Sequence, residues 1–316
     1  MWGRNSGVAS ASRPRETGRP VLQDVERRKL SLPSGLEIAL LDWGGDGPLA
    51  LLHHATGFCA GVWDSVARGL RERFHVIGMD ARGHGDSSAP PAPGNYLWTL
   101  FGEDVAAVAR LLAAESGATA LPLGIGHSFG GTALLLGSTG EAPPFERLVL
   151  VDPVFPPPDA SVPDPGRGAR GSQMVKGARK RRSHWESRAE ARAWWAEKPL
   201  FATWIPEALD AYVAEGLRDA AEGGVVLKCT PEVEAEVFGV SFESDIWSAV
   251  EQVHVPTLLL RAARGDFPRG IFQALVARMP DARLSELDAG HLAPMERPEL
   301  VVEAVLSDYP EPSSTG

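Results

Sequence analysis

The sequence predicts an α/β fold, in which helices flank a mostly parallel β-sheet. Short apolar runs, typical of strands buried on both faces, alternate with helical stretches along most of the 316 residues. The helical stretches carry their apolar residues on one side, as amphipathic helices do. Residues 154–250 interrupt this alternation and are too many for an ordinary crossover loop. We therefore expect an inserted helical cap above the carboxyl edge of the sheet.

The predicted elements follow one another from residue 25 onward. Residues 36–43 alternate weakly and end at a Gly-Gly turn, which predicts a strand. Residues 98–115 predict a helix, because their apolar side chains recur at intervals of three and four. Further buried strands are predicted by short apolar runs at residues 49–53, 75–79, 121–125, 148–151, 257–260 and 284–287.

The pattern divides the chain into three parts. Residues 1–20 are rich in Arg, Ser and Gly and lack the apolar core of a secretion signal, so we expect a flexible tail. Residues 21–153 and 251–316 are expected to form the sheet and its flanking helices. Residues 154–250 are expected to form the cap, which contains no strand-like run and in which Pro206 opens a helix.

Composition and charge exclude several classes of protein. The chain is 44% hydrophobic and 23% charged, as globular proteins are, and no apolar stretch is long enough for a membrane helix. Its net charge of −10 argues against a nucleic-acid-binding face. Cys59 and Cys229 are too few for a disulfide framework or a four-cysteine zinc site. We expect a cytoplasmic protein that binds a small molecule and neither nucleic acid nor membrane. A monomer and a homodimer are both compatible with the sequence.

The most specific motif in the sequence is Gly126-His127-Ser128-Phe129-Gly130. It fits G-x-S-x-G between a predicted strand and a predicted helix, where a strained turn exposes the serine at the helix N-terminus. The flanking glycines leave room for neighbouring backbone. The alternative is a serine that only caps the helix. We predict that Ser128 is a nucleophile.

A serine nucleophile needs a base, and the base needs an acid to orient it. Among eight histidines, His291 follows a strand-like run and precedes the last helix, which puts it at the same sheet edge as Ser128. Asp266 follows the strand at 257–260 and is the expected acid. Asp152, directly after the strand at 148–151, is the competing candidate.

The sequence resembles the α/β-hydrolase superfamily with a helical cap over residues 25–308. The order serine, acid, histidine is the order found in that superfamily. The resemblance rests on His54 with Gly57-Phe58, on Asp80-Ala81-Arg82-Gly83-His84-Gly85-Asp86-Ser87, on the Ser128 turn and on Gly290-His291.

The resemblance also implies an oxyanion hole. By analogy one donor is the backbone N–H of Phe129, and the other is the N–H of Thr56 or, failing that, of Gly57. The His-Gly pair usual after the third strand is replaced here by His54-Ala55-Thr56-Gly57, which leaves the second donor open.

The expected function is that of a cofactor-independent serine hydrolase that cleaves a small apolar or aromatic carboxylic ester. Epoxide hydrolases and haloalkane dehalogenases of the superfamily carry an aspartate where this chain has Ser128, so acyl chemistry is expected instead. A C–C bond hydrolase of a ring-fission-type diketone is one alternative, and a non-catalytic ligand receptor on the same scaffold is another. No metal or nucleotide signature is present, since the glycines around Ser128 do not continue into a phosphate loop.

The predicted cap has two further features, each with two interpretations. Its five tryptophans either favour an apolar or aromatic substrate or only pack the cap against the core. Residues 167–192 contain nine Lys or Arg and two Asp or Glu. This segment either steers an anionic substrate toward the cleft or is a solvated helix face. Arg181 and Arg182 are the residues that the steering hypothesis uses.

Overall fold

The structure, a computed structural model, describes residues 22–155, 167–240 and 246–309, with the backbone alone for 167–170. The strands are β1 (Glu26–Ser31), β2 (Glu37–Gly44), β3 (Leu49–His53), β4 (His75–Met79), β5 (Leu123–His127), β6 (Leu148–Val151), β7 (His184–Trp185), β8 (Leu217–Asp219), β9 (Val225–Leu227), β10 (Thr257–Ala262) and β11 (Ala282–Leu287). The helices are α1 (Asp64–Leu70), α2 (Trp98–Glu115), α3 (Phe129–Gly137), α4 (Arg167–Arg179), α5 (Arg188–Ala196), α6 (Pro206–Glu215), α7 (Pro231–Gly239), α8 (Ile246–Val250), α9 (Arg269–Arg278), α10 (Ala293–Glu296) and α11 (Pro298–Asp308). Residues 1–21, which include the predicted tail, lie outside the described residues.

The main sheet confirms the predicted α/β class. Its eight strands lie in the order β1-β2-β4-β3-β5-β6-β10-β11. The first two strands pair antiparallel with their neighbours, and all the others are parallel. β1 was not predicted because its side chains are mostly charged and four of the six are exposed, as an edge strand permits.

The sheet is buried on both faces. Val149 and Val151 of β6 belong to one apolar cluster, whereas Leu148 and Leu150 belong to another. Because successive side chains of a strand point to opposite faces, the two clusters are the two helix-covered layers. Because β5, β6 and β10 are parallel neighbours, their carboxyl ends meet at one edge of the sheet, where polar loops can converge.

Between β6 and β10 the chain forms helices and a second, smaller sheet. The prediction that this region contains no strand is wrong, because β7, β9 and β8 pair antiparallel there. Each has only two or three residues, too few to produce a recognisable alternation. The division into core and cap stays a prediction. Residues 156–166 and 241–245, which it also covers, lie outside the described residues.

The described residues between β6 and β10, called the inserted region below, contact the main sheet and its flanking helices, called the core, at defined points. Helix α6 packs on a short 3₁₀ helix at Ala60–Trp63. The Ile205 N–H donates to the Met295 carbonyl at 2.9 Å. In the part of the chain that the structure describes, no helix is both long and apolar enough to cross a bilayer.

Candidate active site

Ser128 lies at a strained turn between β5 and α3. Its φ of 55° and ψ of −122° are values that non-glycine residues rarely adopt. A side chain at Gly130 would clash, since an added Cβ would lie 2.4 Å from the His53 carbonyl oxygen. The predicted strand, turn and helix are thus present, and the turn needs its glycine.

Two hydrogen bonds connect Ser128 to a histidine and a carboxylate. Asp152 Oδ2 lies 2.6 Å from His291 Nδ1, and Ser128 Oγ lies 2.9 Å from His291 Nε2. An ionised carboxylate can only accept, so Nδ1 carries the proton and donates it to Asp152. Nε2 is then the acceptor, and the Ser128 hydroxyl donates to it. This arrangement lets His291 remove the serine proton.

The structure corrects the predicted acid. It places Asp152, the competing candidate, against His291, whereas Asp266 is exposed and makes no hydrogen bond to the ring. Asp152 is fully buried, and its second oxygen accepts from the Ala262 N–H at 2.9 Å. The loop after β10 presents Phe267 to the histidine instead, with 5.2 Å between ring centroids.

The physical reason is the position of β6. This strand lies between β5 and β10, so a residue directly after it adjoins both the Ser128 turn and the His291 loop. Asp152 also has a positive φ of 42°. Asp266 comes four residues after the end of β10, in a loop that leaves its side chain exposed. The immediate succession of strand and Asp152 is the signal that could have favoured it.

His127 has a contact that sequence analysis missed. It is fully buried, and its Nε2–H donates to the backbone carbonyl of His291 at 2.8 Å. Burial lowers the pKa of His127 to about 3, so the ring is neutral and carries one proton. His127 therefore fixes the backbone of the loop that contains His291. Proximity between the end of β5 and the His291 loop produces this contact, and no sequence motif encodes it.

The loop after β3 forms a tight turn beside this site. The Phe58 N–H donates to the Ala55 carbonyl at 3.2 Å, and Gly57 has a φ of 80°, as the third residue of a type II turn does. The Gly57 N–H donates to His84 Nε2 at 3.0 Å. Burial lowers the pKa of His84, which keeps that nitrogen free to accept. The Thr56 hydroxyl is buried and has no hydrogen-bond partner.

The other predicted oxyanion donor, Phe129, begins α3 directly after Ser128. Its ring is buried in the core, 4.7 Å from the ring of Phe101 and 5.0 Å from that of Trp98. The side chain thus anchors the residue, and its backbone N–H lies at the helix N-terminus beside the nucleophile.

A cleft of about 690 Å³ reaches His291 from the surface. It lies between a segment of the inserted region and the loops that follow β10 and β11. The residues that line it are Pro199, Leu200, Thr203, Arg264, Gly265, Asp266, Gly290, His291, Leu292, Glu296 and Arg297.

The tryptophans and arginines of the inserted region have mostly internal partners. Trp185, Trp195 and Trp204 are buried among other aromatic rings. Arg182 pairs with Glu190, and Arg181 pairs with Glu234. These contacts favour the packing interpretation of the rings, and they engage both arginines that the steering hypothesis uses.

Comparison with known proteins identifies the family. Residues 50–304 match the family model described as "Alpha/beta hydrolase family". The chain belongs to this family. Within the described residues, no group of three or more His, Cys, Asp or Glu side chains is arranged to hold a metal ion.

Several relatives are hydrolases of different bonds. The chain is 30% identical to an N-formylmaleamate deformylase of Pseudomonas putida, over 83% of this chain and 89% of that protein. It is 40% identical to an esterase of Mycobacterium tuberculosis, over 36% of each chain. Among solved structures, an E-2-(acetamidomethylene)succinate hydrolase superposes with a TM-score of 0.70 at 20% identity, over 89% of this chain and 97% of the other.

Proposed function

We propose that this protein is a serine hydrolase that cleaves a small carboxylic ester through an acyl-enzyme. The hydrogen-bonded chain from Ser128 through His291 to Asp152 carries the proposal, because it supplies a nucleophile, a base and an orienting acid. Membership of the alpha/beta hydrolase family and the likeness to an esterase support it.

The proposed reaction has two halves. Ser128 Oγ attacks the ester carbonyl while His291 Nε2 takes its proton, and the buried Asp152 carboxylate stabilises the resulting imidazolium. His291 then gives the proton to the leaving alcohol, and the C–O bond of the ester breaks. Water, deprotonated by His291, next attacks the acyl-enzyme, and the proton returns to Ser128 as the acid leaves. The cleft beside His291 offers the substrate an approach.

The oxyanion that forms in each half needs hydrogen-bond donors. Of the two residues considered for the second donor, Gly57 uses its N–H in the bond to His84. We therefore assign the role to the Thr56 N–H, together with the Phe129 N–H at the start of α3. Both are backbone donors, which are held in place before the substrate arrives.

Hydrolysis of an N-formyl amide is the second candidate. The 30% identity to N-formylmaleamate deformylase over most of both chains favours it. The same serine, histidine and aspartate would serve, with His291 protonating the departing nitrogen instead of an alcohol oxygen.

The test is hydrolysis of p-nitrophenyl esters of graded acyl length, with N-formylmaleamate assayed in parallel. We expect ester turnover by the parent protein and none above background by a folded Ser128→Ala variant. Turnover of N-formylmaleamate alone would replace the ester proposal with the second candidate. Turnover that survives in Ser128→Ala would refute both, because both need the serine.

A further inference from the structure

A buried polar cluster from the inserted region contacts the turn that contains Thr56. The Tyr212 hydroxyl, on α6, donates to the Gly57 carbonyl at 2.9 Å. Arg181 donates one N–H to the Tyr212 oxygen and another to Glu234 at 2.8 Å, and its contact with the Gly57 carbonyl is 3.4 Å. The cluster therefore joins three parts of the inserted region to one peptide group of the core.

The cluster is enclosed, so its interactions are strong and its geometry is restricted. Tyr212 is 1% exposed. The side chains of Arg181 and Glu234 are 17% and 11% exposed. Burial raises the pKa of Tyr212, so the hydroxyl keeps its proton and acts as a donor to Gly57. Aromatic packing adds to the contact, since Phe58 lies 5.4 Å from the Tyr212 ring and 5.2 Å from that of Trp204.

Gly57 is held from both sides by these bonds. Its N–H is bound to His84 of the core, and its C=O is bound to Tyr212 of the inserted region. The position also favours glycine, because its φ of 80° is one that other residues rarely adopt and an added Cβ would lie 2.4 Å from Glu234 Oε1. Both peptide planes that meet at Gly57 thus have one orientation.

The orientation of Thr56 follows from the same turn. The Ala55 carbonyl accepts from the Phe58 N–H and from the ring Nδ1–H of His54, at 2.8 Å for the latter. Because a peptide group is planar and trans, the Thr56 N–H points opposite to that carbonyl. A rotation of the Gly57 peptide would change the turn and with it the direction of the Thr56 N–H.

We propose that Tyr212, Arg181 and Glu234 are positioning residues that orient the Thr56 N–H through the Gly57 carbonyl. This inference rests on the proposed function, since it assigns these residues to the oxyanion hole of that reaction. It also gives Arg181 a different role from substrate steering: the guanidinium is committed to Tyr212 and Glu234, inside the protein. These three residues thereby complete the oxyanion hole without contacting the substrate.

Tyr212→Phe tests the inference most directly, because it removes one hydroxyl and keeps the ring. We expect kcat on a p-nitrophenyl ester to fall about 10-fold with little change in KM, since a misdirected donor weakens binding of the transition state alone. The affinity for a trifluoromethyl ketone, whose adduct with Ser128 carries an oxyanion, should fall by a similar factor. Glu234→Gln, which breaks the ion pair and keeps its shape, should change both quantities in the same direction.

Tyr96→Phe is the matched control. Tyr96 is also fully buried, and its hydroxyl also donates to a backbone carbonyl, that of Pro90 at 2.6 Å. The Tyr96→Phe variant should have the parental kcat and the parental affinity for the ketone. Active-site titration of each variant corrects for any fraction that does not fold.

The outcomes separate the two proposals. Parental kcat and ketone affinity in both Tyr212→Phe and Glu234→Gln would overturn the inference and leave the proposed function standing. A loss explained wholly by fewer titratable sites would also overturn it, because that is the result of a purely structural role. Absence of Ser128-dependent turnover in the parent protein would refute the proposed function and this inference together.

Discussion

Ser128 and Asp152 both have backbone conformations that cost free energy. Apart from Leu22, they are the non-glycine residues with positive φ in the described part of the chain. Such strain costs roughly 1–3 kcal/mol a residue and persists where the surrounding structure enforces it. Here each residue directly follows a central strand, so the strained turn projects its side chain toward His291. The coincidence of strain with this hydrogen-bonded chain supports a functional site.

Asp152→Asn tests which carboxylate orients the base. The amide can keep its oxygen toward the Ala262 N–H and turn its NH₂ toward His291 Nδ1, which forces the proton onto Nε2. Nε2 then cannot accept from Ser128, and we expect kcat to fall by about 10⁴-fold, as for this change in serine proteases. Ester hydrolysis by the purified variant, with circular dichroism as the folding check, measures it.

Asp266→Asn is the control for that prediction. It removes the exposed carboxylate, which makes no hydrogen bond to His291, and it should keep most of the parent kcat. A large loss in Asp266→Asn combined with a small one in Asp152→Asn would restore Asp266 as the acid.

At the scale of elements, the short helix α10 connects the His291 loop to the inserted region. Glu296 at its end accepts from the Gly290 N–H at 2.8 Å and from the Thr203 hydroxyl at 2.9 Å. The neighbouring Met295 carbonyl accepts from Ile205. The residue before His291 and a segment of the inserted region thus share one carboxylate.

Glu296→Ala should lower kcat about 10-fold, because small misplacements of a base reduce the rate steeply. Thr203→Val removes only the bond to the inserted region and should keep the bond to Gly290, so its kcat should fall less. Steady-state kinetics of the two variants on one ester compares them. Equal losses in both would mean that the inserted region, and not the Gly290 bond, controls the position of His291.

Most elements were predictable from local patterns. The strands at 49–53, 75–79 and 148–151 and the helix at 98–115 have the predicted bounds, because burial on both faces or along one stripe leaves a strong periodic signal. β1 and the strands of the small sheet were not predictable in this way. They are exposed or very short, and their pairing depends on partners distant in sequence.

At the scale of the whole molecule, several histidines are buried in the neutral state. Burial lowers the pKa of His53 to about 4 and that of His127 to about 3, and it also lowers the pKa values of His54 and His84. Asp80 has the opposite behaviour, since burial raises its pKa to about 6. The two kinds of group make opposite contributions to acid stability.

The sign of the pH dependence follows from proton uptake. Below pH 6.5 the unfolded chain protonates its histidines, whereas the folded protein keeps these four neutral until the pH approaches their lowered pKa values. Their stabilising contribution is present above pH 6.5 and is lost as the pH falls. Asp80 contributes in the other direction between its raised pKa of about 6 and the ordinary aspartate pKa of 3.8, but it is one group against four.

We therefore expect the free energy of unfolding to decrease from pH 7 to pH 5, by up to about 1.4 kcal/mol per pH unit for each buried histidine. Urea unfolding followed by tryptophan fluorescence at each pH measures it. His53→Gln removes one titrating group and can keep its donor to the His54 carbonyl, so the slope should become shallower. A free energy that stays level or increases toward pH 5 would contradict the prediction.

The sequence alone determined the fold class, the Ser128 turn and the candidate histidine, because these depend on local periodicity and on the spacing of a few residues around one strand end. Only the tertiary structure decided between Asp152 and Asp266, since that choice depends on which strands are neighbours and on how two loops turn. The tertiary structure likewise brought His127 against the backbone carbonyl of His291. It also brought the cluster of Arg181, Tyr212 and Glu234 to the Gly57 peptide. Contacts between residues more than a hundred positions apart leave no trace in local composition, so only the packed chain could reveal them.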